Sequence, residues 1–142
     1  MSLSFTRYTL DKEYVHDSYD TLFQDTWQNP SAFGVFVDGK SFPIAVLELD
    51  REFWNSRLRI TQLLVLEEYR NKGLGKLLIE KAKEIAIEED FRMLVLETQS
   101  CNVKAIDFYK KMGFKFCGGN IFFYSNDDIT ENEVMLELAY LL

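Results

Sequence analysis

The sequence predicts a mixed α/β domain of the α+β class, built on a central mixed, mostly antiparallel sheet of about six to seven strands with flanking helices. Three observations support this class. The turn signal Asp38-Gly39 joins two short apolar runs, a helical pattern begins at Gly73, and strand-like runs lie on both sides of that helix. The hairpin implies an antiparallel pair and the strand–helix–strand unit a parallel one, so the sheet must be mixed. At 142 residues we expect one domain, 1–142.

The first half of the chain predicts a helical region and then three strands. Between residues 10 and 28, pairs of residues recur with a spacing of four, which indicates an amphipathic helix or two short ones. Strands are predicted at 33–37 and 44–49, on either side of the hairpin turn. A third strand, 57–66, follows a turn at Asn55-Ser56.

The second half predicts two helices, each followed by strand. Leucine, alanine and isoleucine positions between 74 and 85 lie three and four apart and form one buried helical face. A short apolar strand follows at 93–96. Asn102 is placed to begin a second helix and Gly113 to end it. The remaining predicted strands are 114–117, 121–124 and 134–141.

Composition and charge narrow the function classes. Hydrophobic residues make up 47% and charged residues 27%, an ordinary globular balance. The net charge of −7 disfavours nucleic-acid binding and favours a cationic substrate or partner. No apolar run is long enough for a membrane span and the N-terminus lacks signal-peptide features, so we expect a cytoplasmic protein that does not bind membranes. Cys101 and Cys117 lack metal-ligand spacing, and no metal is expected.

A glycine-containing turn lies between the third strand and the first long helix. Its residues are Arg70, Asn71, Lys72, Gly73, Leu74, Gly75 and Lys76. Backbone N–H groups at a helix start have no internal acceptor and can bind an anion, and a glycine lets the backbone approach a ligand without an intervening Cβ. Three basic side chains favour a phosphate or diphosphate. The alternative is a simple turn into a surface helix, and the spacing fits neither the P-loop nor the Rossmann motif.

These residues resemble the signature of the GNAT (Gcn5-related) N-acetyltransferases, Arg/Gln-x-x-Gly-x-Gly/Ala. The resemblance extends from about residue 33 to 142 and includes Asn102, Phe108-Tyr109 and Gly113-Phe114 downstream. It implies a GNAT-type fold whose sheet is splayed at the cofactor site, with acetyl-CoA as cosubstrate. Backbone N–H groups from Asn71 to Lys76 would then hold the pyrophosphate, next to Arg70. Leu63, Leu64 and Val65 would offer backbone groups to the pantetheine, and Asn102 would either cap its helix or bond a pantetheine amide.

The resemblance also implies catalytic roles. The matching tyrosine of family members donates a proton to the leaving thiolate, which assigns Tyr109 as general acid. Without the resemblance, Tyr109 would be interpreted as one more core aromatic. Glu97, at the end of the strand that must lie beside the splayed one, is the preferred general base. Glu48 is the rival base or a ligand for a cationic substrate.

Within the family, the nearest pattern is the streptothricin acetyltransferase-like group, although Thr61-Gln62 stands where that group usually carries two acidic residues. The predicted function is acetyl transfer by direct attack of a primary amine, carried by a small basic molecule or by a peptide or protein. The alternative is an acyl-CoA-binding protein without transfer activity, serving as a sensor or scaffold. The last predicted strand is apolar on both faces, which favours a homodimer.

Overall fold

A single six-stranded sheet organises residues 21–142, the part of the chain described by the computed structural model. The strand order is β1-β2-β3-β4-β6-β5, and only the β3–β4 pair is parallel. The prediction of a mixed, mostly antiparallel sheet is therefore confirmed. The strands are β1 (Pro30–Val35), β2 (Ala45–Glu52), β3 (Arg57–Val65), β4 (Met93–Gln99), β5 (Lys115–Asn120) and β6 (Met135–Leu141).

Within residues 21–142, two helices of more than two turns accompany the sheet, and both begin where the sequence predicts. Helix α1 (Leu74–Glu88) connects β3 to β4, and α2 (Val103–Lys111) connects β4 to β5. A one-turn helix, α3 (Asp128–Glu131), precedes β6, and 3₁₀ turns lie at Phe53–Asn55 and Glu67–Tyr69. No helix within residues 21–142 combines the length and apolar content that a bilayer crossing requires.

The core lies between α1 and one face of the sheet. Leu78, Ile79, Ala82 and Ile85 of α1 are buried and belong to the same cluster as alternate residues of β2 and β4. The buried residues of β2 on this face are Ala45, Leu47 and Leu49. Glu48, between two of them, therefore points to the opposite face, because side chains alternate along a strand.

The central strands separate part-way along their length. Strand β3 pairs with β4 only over Arg57–Ile60 and Met93–Leu96. On its other side β3 continues to pair with β2, but Glu48 lies opposite Gln62 and Leu49 opposite Ile60, so Thr61 is the extra residue of a β-bulge. The bulge exchanges the two faces of β3: Leu58 and Ile60 face the core before it, and Leu63 and Val65 after it.

Several sequence predictions need correction. Residues 121–124 form a turn rather than a strand, and residues 21–28 are not helical. The rest of the predicted N-terminal helical region, 10–20, lies outside the described residues. Strand β1 begins before residue 33 and ends before 37, and β5 extends through Gly118 and Gly119. Strand β6 lies inside the sheet, where both of its edges are paired, with β4 and β5. This pairing does not cover its faces, and the homodimer stays a prediction.

Candidate active site

The turn that begins α1 leaves backbone N–H groups unsatisfied. Gly73 is the N-cap, its φ is +84°, and no side chain of the described residues caps the helix there. The first helical bond runs from Leu77 N to Gly73 O at 3.0 Å. The N–H groups of Leu74, Gly75 and Lys76 therefore have no acceptor within the helix. This end of α1 fits an anion, since the N–H groups and the helix dipole both favour negative charge.

Basic side chains surround this turn. Arg70 donates from Nε to the Val65 carbonyl at 3.1 Å and so ties the turn to the end of β3. The Nζ atoms of Lys40 and Lys72 each lie 5.0 Å from the centre of the Tyr69 ring. Lys76 is exposed on the first turn of α1. Lys40 is paired with Glu68 at 2.7 Å, so Arg70, Lys72 and Lys76 supply the positive charge near the unsatisfied N–H groups.

Gly75 has a packing role in addition to the one its motif suggests. A Cβ on Gly75 would lie 3.2 Å from Phe108 Cζ, so this glycine lets α1 pack closely against α2. At Gly73, by contrast, a Cβ would meet no described residue within 4 Å, and its positive φ is the constraint. The absent side chain of Gly75 makes room for Phe108, and the expectation that both glycines clear space for a ligand stays a prediction.

Past the bulge, β3 has one free edge. Leu66 N donates to Ile44 O on the β2 side at 3.0 Å. In an antiparallel pair, hydrogen-bonded and non-hydrogen-bonded positions alternate along the strand. Because Leu66 is bonded to β2, Val65 and Leu63 are at non-bonded positions, and their backbone groups point away from β2. Arg70 already uses the Val65 carbonyl. The exposed Leu64 side chain lies between them, next to this edge.

Helix α2 presents Asn102 and Tyr109. Asn102 is the N-cap, and its Oδ1 accepts a hydrogen bond from Ala105 N at 3.3 Å, so the capping role is the one observed. The Tyr109 ring packs edge-on against Phe108 at 5.3 Å and against Phe114 at 5.8 Å. Burial raises the pKa of Tyr109 from 10.0 to about 12. Its hydroxyl is therefore protonated near neutral pH, as a proton donor must be.

Glu97 lies on β4 beyond the last residue that pairs with β3. Its side chain is exposed, and its Oε1 accepts a hydrogen bond from the Tyr124 hydroxyl at 2.6 Å. Across the ladder Glu97 faces Glu137, whose Oε1 lies 3.0 Å from Arg59 Nη2. Glu97 itself forms no ion pair with a described residue.

The loop that carries Tyr124 is held by one buried carboxylate. Oδ2 of Asp128 accepts from Phe123 N at 2.8 Å and from Tyr124 N at 3.0 Å, and Oδ1 accepts from Ser125 N at 2.6 Å and from Ser125 Oγ at 2.9 Å. Burial opposes the ionisation of Asp128, but these donors outweigh it and hold the pKa of the carboxyl below its ordinary value. Two of these bonds engage the N–H groups of Phe123 and Tyr124, which are therefore not available to a strand ladder.

Glu48 is fully buried, and both of its oxygens are occupied. Oε2 accepts from the Thr61 hydroxyl at 2.7 Å, and Oε1 accepts from Phe23 N. Asp50, two residues further on, accepts from Asn29 N at 2.7 Å. These carboxylates attach the segment before β1 to the sheet. A role of Glu48 toward a substrate stays a prediction, and its occupied oxygens favour Glu97 as the base.

Comparison with known proteins agrees with this geometry. The sequence matches the model of the "Acetyltransferase (GNAT) family" over residues 3–114. The chain belongs to the GNAT acetyltransferase family. It is 33% identical to streptothricin acetyltransferase A of Bacillus subtilis over 129 residues, which cover 91% of this chain and 72% of that protein. It is 30% identical to the Escherichia coli streptothricin acetyltransferase, over 88% of this chain and 67% of the relative.

Solved structures show the same GNAT fold. A candidate streptothricin acetyltransferase from Bacillus anthracis, in complex with acetyl coenzyme A, superposes with a TM-score of 0.72 at 31% identity. A nourseothricin acetyltransferase gives a TM-score of 0.69 at 27% identity. Both matches cover 80% of this chain, and they cover 64% and 65% of the solved chains, slightly less than two thirds. The predicted family, fold class and acyltransferase class are confirmed.

The site residues that the GNAT signature suggests stay predictions, and the structure shows on which elements they lie. The predicted residues fall on the α1 turn, the free β3 edge, the two ends of α2 (Asn102 and Tyr109), β4 (Glu97) and β2 (Glu48). Sequence analysis missed the bulge at Thr61, although the change of apolar positions from 58 and 60 to 63 and 65 signals it. It also missed the roles of Tyr124 and Asp128. Ser125 followed three residues later by Asp128 was the available signal for a capped turn.

Proposed function

We propose that this GNAT protein transfers the acetyl group of acetyl-CoA to a primary amine by direct attack of the amine. The observation that carries the proposal is the uncapped start of α1 next to the free edge of β3. The first offers N–H groups to a pyrophosphate, and the second offers backbone groups to an amide-bearing chain. The related Bacillus anthracis structure, solved in complex with acetyl coenzyme A, supports the same cosubstrate.

The residues present fit acetyl-CoA in charge and in hydrogen bonding. The N–H groups between Asn71 and Lys76 would hold the pyrophosphate, with Arg70 and Lys72 adding positive charge. Leu63 would pair with the pantetheine through its backbone, while Val65 and Asn102 are already engaged by Arg70 and by Ala105. When bound, acetyl-CoA supplies the acetyl group and a thiol leaving group.

The chain then needs one proton acceptor and one proton donor. Glu97, exposed at the separation of β3 and β4, would take a proton from the attacking amine, directly or through water. Tyr109 holds its proton firmly because burial raises its pKa to about 12, and it would give that proton to the departing sulfur. No covalent enzyme intermediate is required, because the amine is itself the nucleophile.

The acceptor we propose is a basic primary amine. The net charge of −7 and the carboxylate of Glu97, which no described cation neutralises, favour an ammonium-bearing molecule. The relatives named streptothricin acetyltransferase support a small-molecule acceptor. A relative named as a ribosomal-protein alanine acetyltransferase keeps a protein amino group as the second candidate. We propose a cytoplasmic location, with which the two free cysteines agree.

The test is release of CoA thiol from acetyl-CoA in the presence of streptothricin, spermidine and a peptide with a free N-terminal amine. Thiol release that depends on one of these amines, with acetylated amine detected by mass, supports the proposal. A protein that binds acetyl-CoA but acetylates none of them fits the sensor or scaffold alternative. Gel filtration with light scattering measures the oligomeric state and so tests the homodimer.

A further inference from the structure

We propose that Tyr124 is a positioning residue for Glu97. This inference rests on the proposed function, in which Glu97 accepts the proton of the attacking amine. Tyr124 is not part of the GNAT signature, and it lies on the loop between β5 and α3. The phenol hydroxyl would fix one carboxylate oxygen of Glu97 and leave the other to face the amine or an intervening water.

The contact is short and directional. Tyr124 donates to Glu97 Oε1 at 2.6 Å, which is the length of a charge-assisted O–H···O bond. It is the one hydrogen bond that the Glu97 side chain forms with residues 21–142. An exposed glutamate on a strand otherwise samples several rotamers, so the phenol restricts the positions that the carboxylate can occupy. Burial and, to a smaller extent, the hydrogen bond to Glu97 raise the pKa of Tyr124, so its hydroxyl keeps its proton and remains a donor.

The loop that presents Tyr124 is itself rigidly attached. Asp128 is fully buried and receives four hydrogen bonds from residues 123–125, one of them from the backbone N–H of Tyr124. The Phe123 ring packs at 85° to the Tyr124 ring, with 5.0 Å between centroids. A loop tied in this way holds an aromatic side chain at a fixed distance from β4. Burying a carboxylate costs desolvation free energy, which the four hydrogen bonds to Asp128 offset. These bonds fix the loop that carries Tyr124, the residue that contacts Glu97.

The electrostatic surroundings make such a support useful. Glu137 lies directly opposite Glu97 in the β4–β6 ladder and carries the same charge. Like charges directly opposite repel, and Arg59, which pairs with both Glu137 and Glu52, forms no ion pair with Glu97. Without the Tyr124 hydroxyl, the Glu97 carboxylate would swing away from Glu137 and into solvent. Among the described residues, the Tyr124 hydroxyl is therefore the group that fixes the position of the Glu97 carboxylate.

The experiment compares the kinetics of Tyr124→Phe with those of the unmodified protein, using acetyl-CoA and whichever of streptothricin, spermidine or the peptide reacts fastest. We expect kcat to fall roughly 10-fold to 100-fold because Glu97 is misplaced, and the KM for acetyl-CoA to stay within about twofold. The matched control is Tyr140→Phe, on β6 beside Lys83, which should keep normal kinetics. In a Glu97→Ala background, Tyr124→Phe should cause no further loss, because no carboxylate remains to be positioned.

Three outcomes would overturn the inference. A normal kcat for Tyr124→Phe, with the unmodified protein active, overturns this inference alone. An equal loss from Tyr124→Phe in the presence and absence of Glu97 also overturns it, because Tyr124 would then act independently. Failure of the unmodified protein to acetylate any of the three amines overturns the proposed function and this inference with it.

Discussion

The hydroxyl of Thr61 donates a hydrogen bond to Glu48 Oε2 at 2.7 Å, at the point where the central sheet opens. Thr61 is both the bulged residue against β2 and the first residue of β3 beyond its pairing with β4. One hydrogen bond thus joins a fully buried carboxylate to the residue at which the strands separate. The opening of the sheet is therefore fixed by side-chain chemistry as well as by backbone pairing.

Replacing Thr61 with valine tests this link. The substitution keeps the branched shape but leaves one oxygen of a buried carboxylate without its donor. We expect a loss of about 1.5–3 kcal/mol in the free energy of unfolding, the usual range for a bond to a charged group. Urea denaturation measures it. Thr61→Ser keeps the hydroxyl and should lose clearly less, so equal losses for the two variants would contradict the assigned role.

The sequence carried enough information for the sheet, the two main helices and the cofactor turn, because each depends on local pattern. Apolar spacing placed α1, the capping residue Asn102 placed α2, and the glycine motif placed the turn between β3 and α1. The bulge at Thr61 was missed, although the switch of apolar residues between the two faces of β3 signals it.

The remaining features depend on contacts between distant parts of the chain. The apolar run 121–124 looks like a strand, but Asp128 accepts from two of its backbone donors, and a carboxylate's partners cannot be predicted from local periodicity. Gly75 meets Phe108, which is 33 positions later in the printed sequence. The Tyr124–Glu97 bond spans 27 positions. Motif and spacing contain none of these pairings, so they appear only once the tertiary structure is known.

Acetyl-CoA binding at the α1 turn should raise the melting temperature. A ligand present at 100 times its dissociation constant stabilises a folded protein by about 2.7 kcal/mol. Lys76→Glu places a negative charge beside the N–H groups and should greatly reduce this stabilisation. The same charge favours the positive end of the helix dipole, so the unliganded protein should be as stable as before or slightly more so.

The control for that variant is Lys81→Glu, which makes the same charge change in the middle of α1. Lys81 is exposed and pairs with Glu84 at 3.3 Å, one turn beyond the cofactor turn. The rise in melting temperature that acetyl-CoA causes in this variant should remain close to normal, since only long-range charge has changed. Equal losses of the ligand-induced shift in both variants would point to net charge, rather than the α1 turn, as the determinant.

Gly75→Val should destabilise the unliganded protein. The first added carbon would already lie 3.2 Å from Phe108 Cζ, and the two methyl groups add further crowding between α1 and α2. We expect a loss of about 1–3 kcal/mol, the usual range for overpacking. Differential scanning calorimetry without ligand measures it. Adding Phe108→Leu to Gly75→Val should recover part of the lost stability. If the two losses simply add in the double variant, the clash with Phe108 is not the cause.

Tyr109→Phe tests the proton donor. The ring should still pack between Phe108 and Phe114, so folding and acetyl-CoA binding should survive. The chemical step should slow by roughly 100-fold to 10,000-fold, the usual effect of losing a positioned acid. Single-turnover kinetics separates this step from binding and release. Near-normal single-turnover rates would return Tyr109 to a packing role and leave the fixed backbone groups as the main source of catalysis.

The raised pKa of Tyr109 also predicts how stability changes with pH. Burial raises the pKa from 10.0 in the ordinary case to about 12 in the folded chain, so the folded state holds the proton more tightly than the unfolded state does. The stability contribution of this phenol is therefore complete below pH 10 and is lost as pH rises toward 12.

Tyr109→Phe lacks the titrating group, while every other base-titrating side chain is common to both proteins. The unmodified protein should therefore lose more of its free energy of unfolding between pH 10 and 12 than Tyr109→Phe does. The expected extra loss is about 1–3 kcal/mol, because each unit of pKa shift corresponds to about 1.36 kcal/mol. Urea titrations at half-unit pH steps measure this difference. A constant difference across that window would mean that the phenol reaches solvent freely, and it would remove the argument that Tyr109 keeps its proton because it is buried.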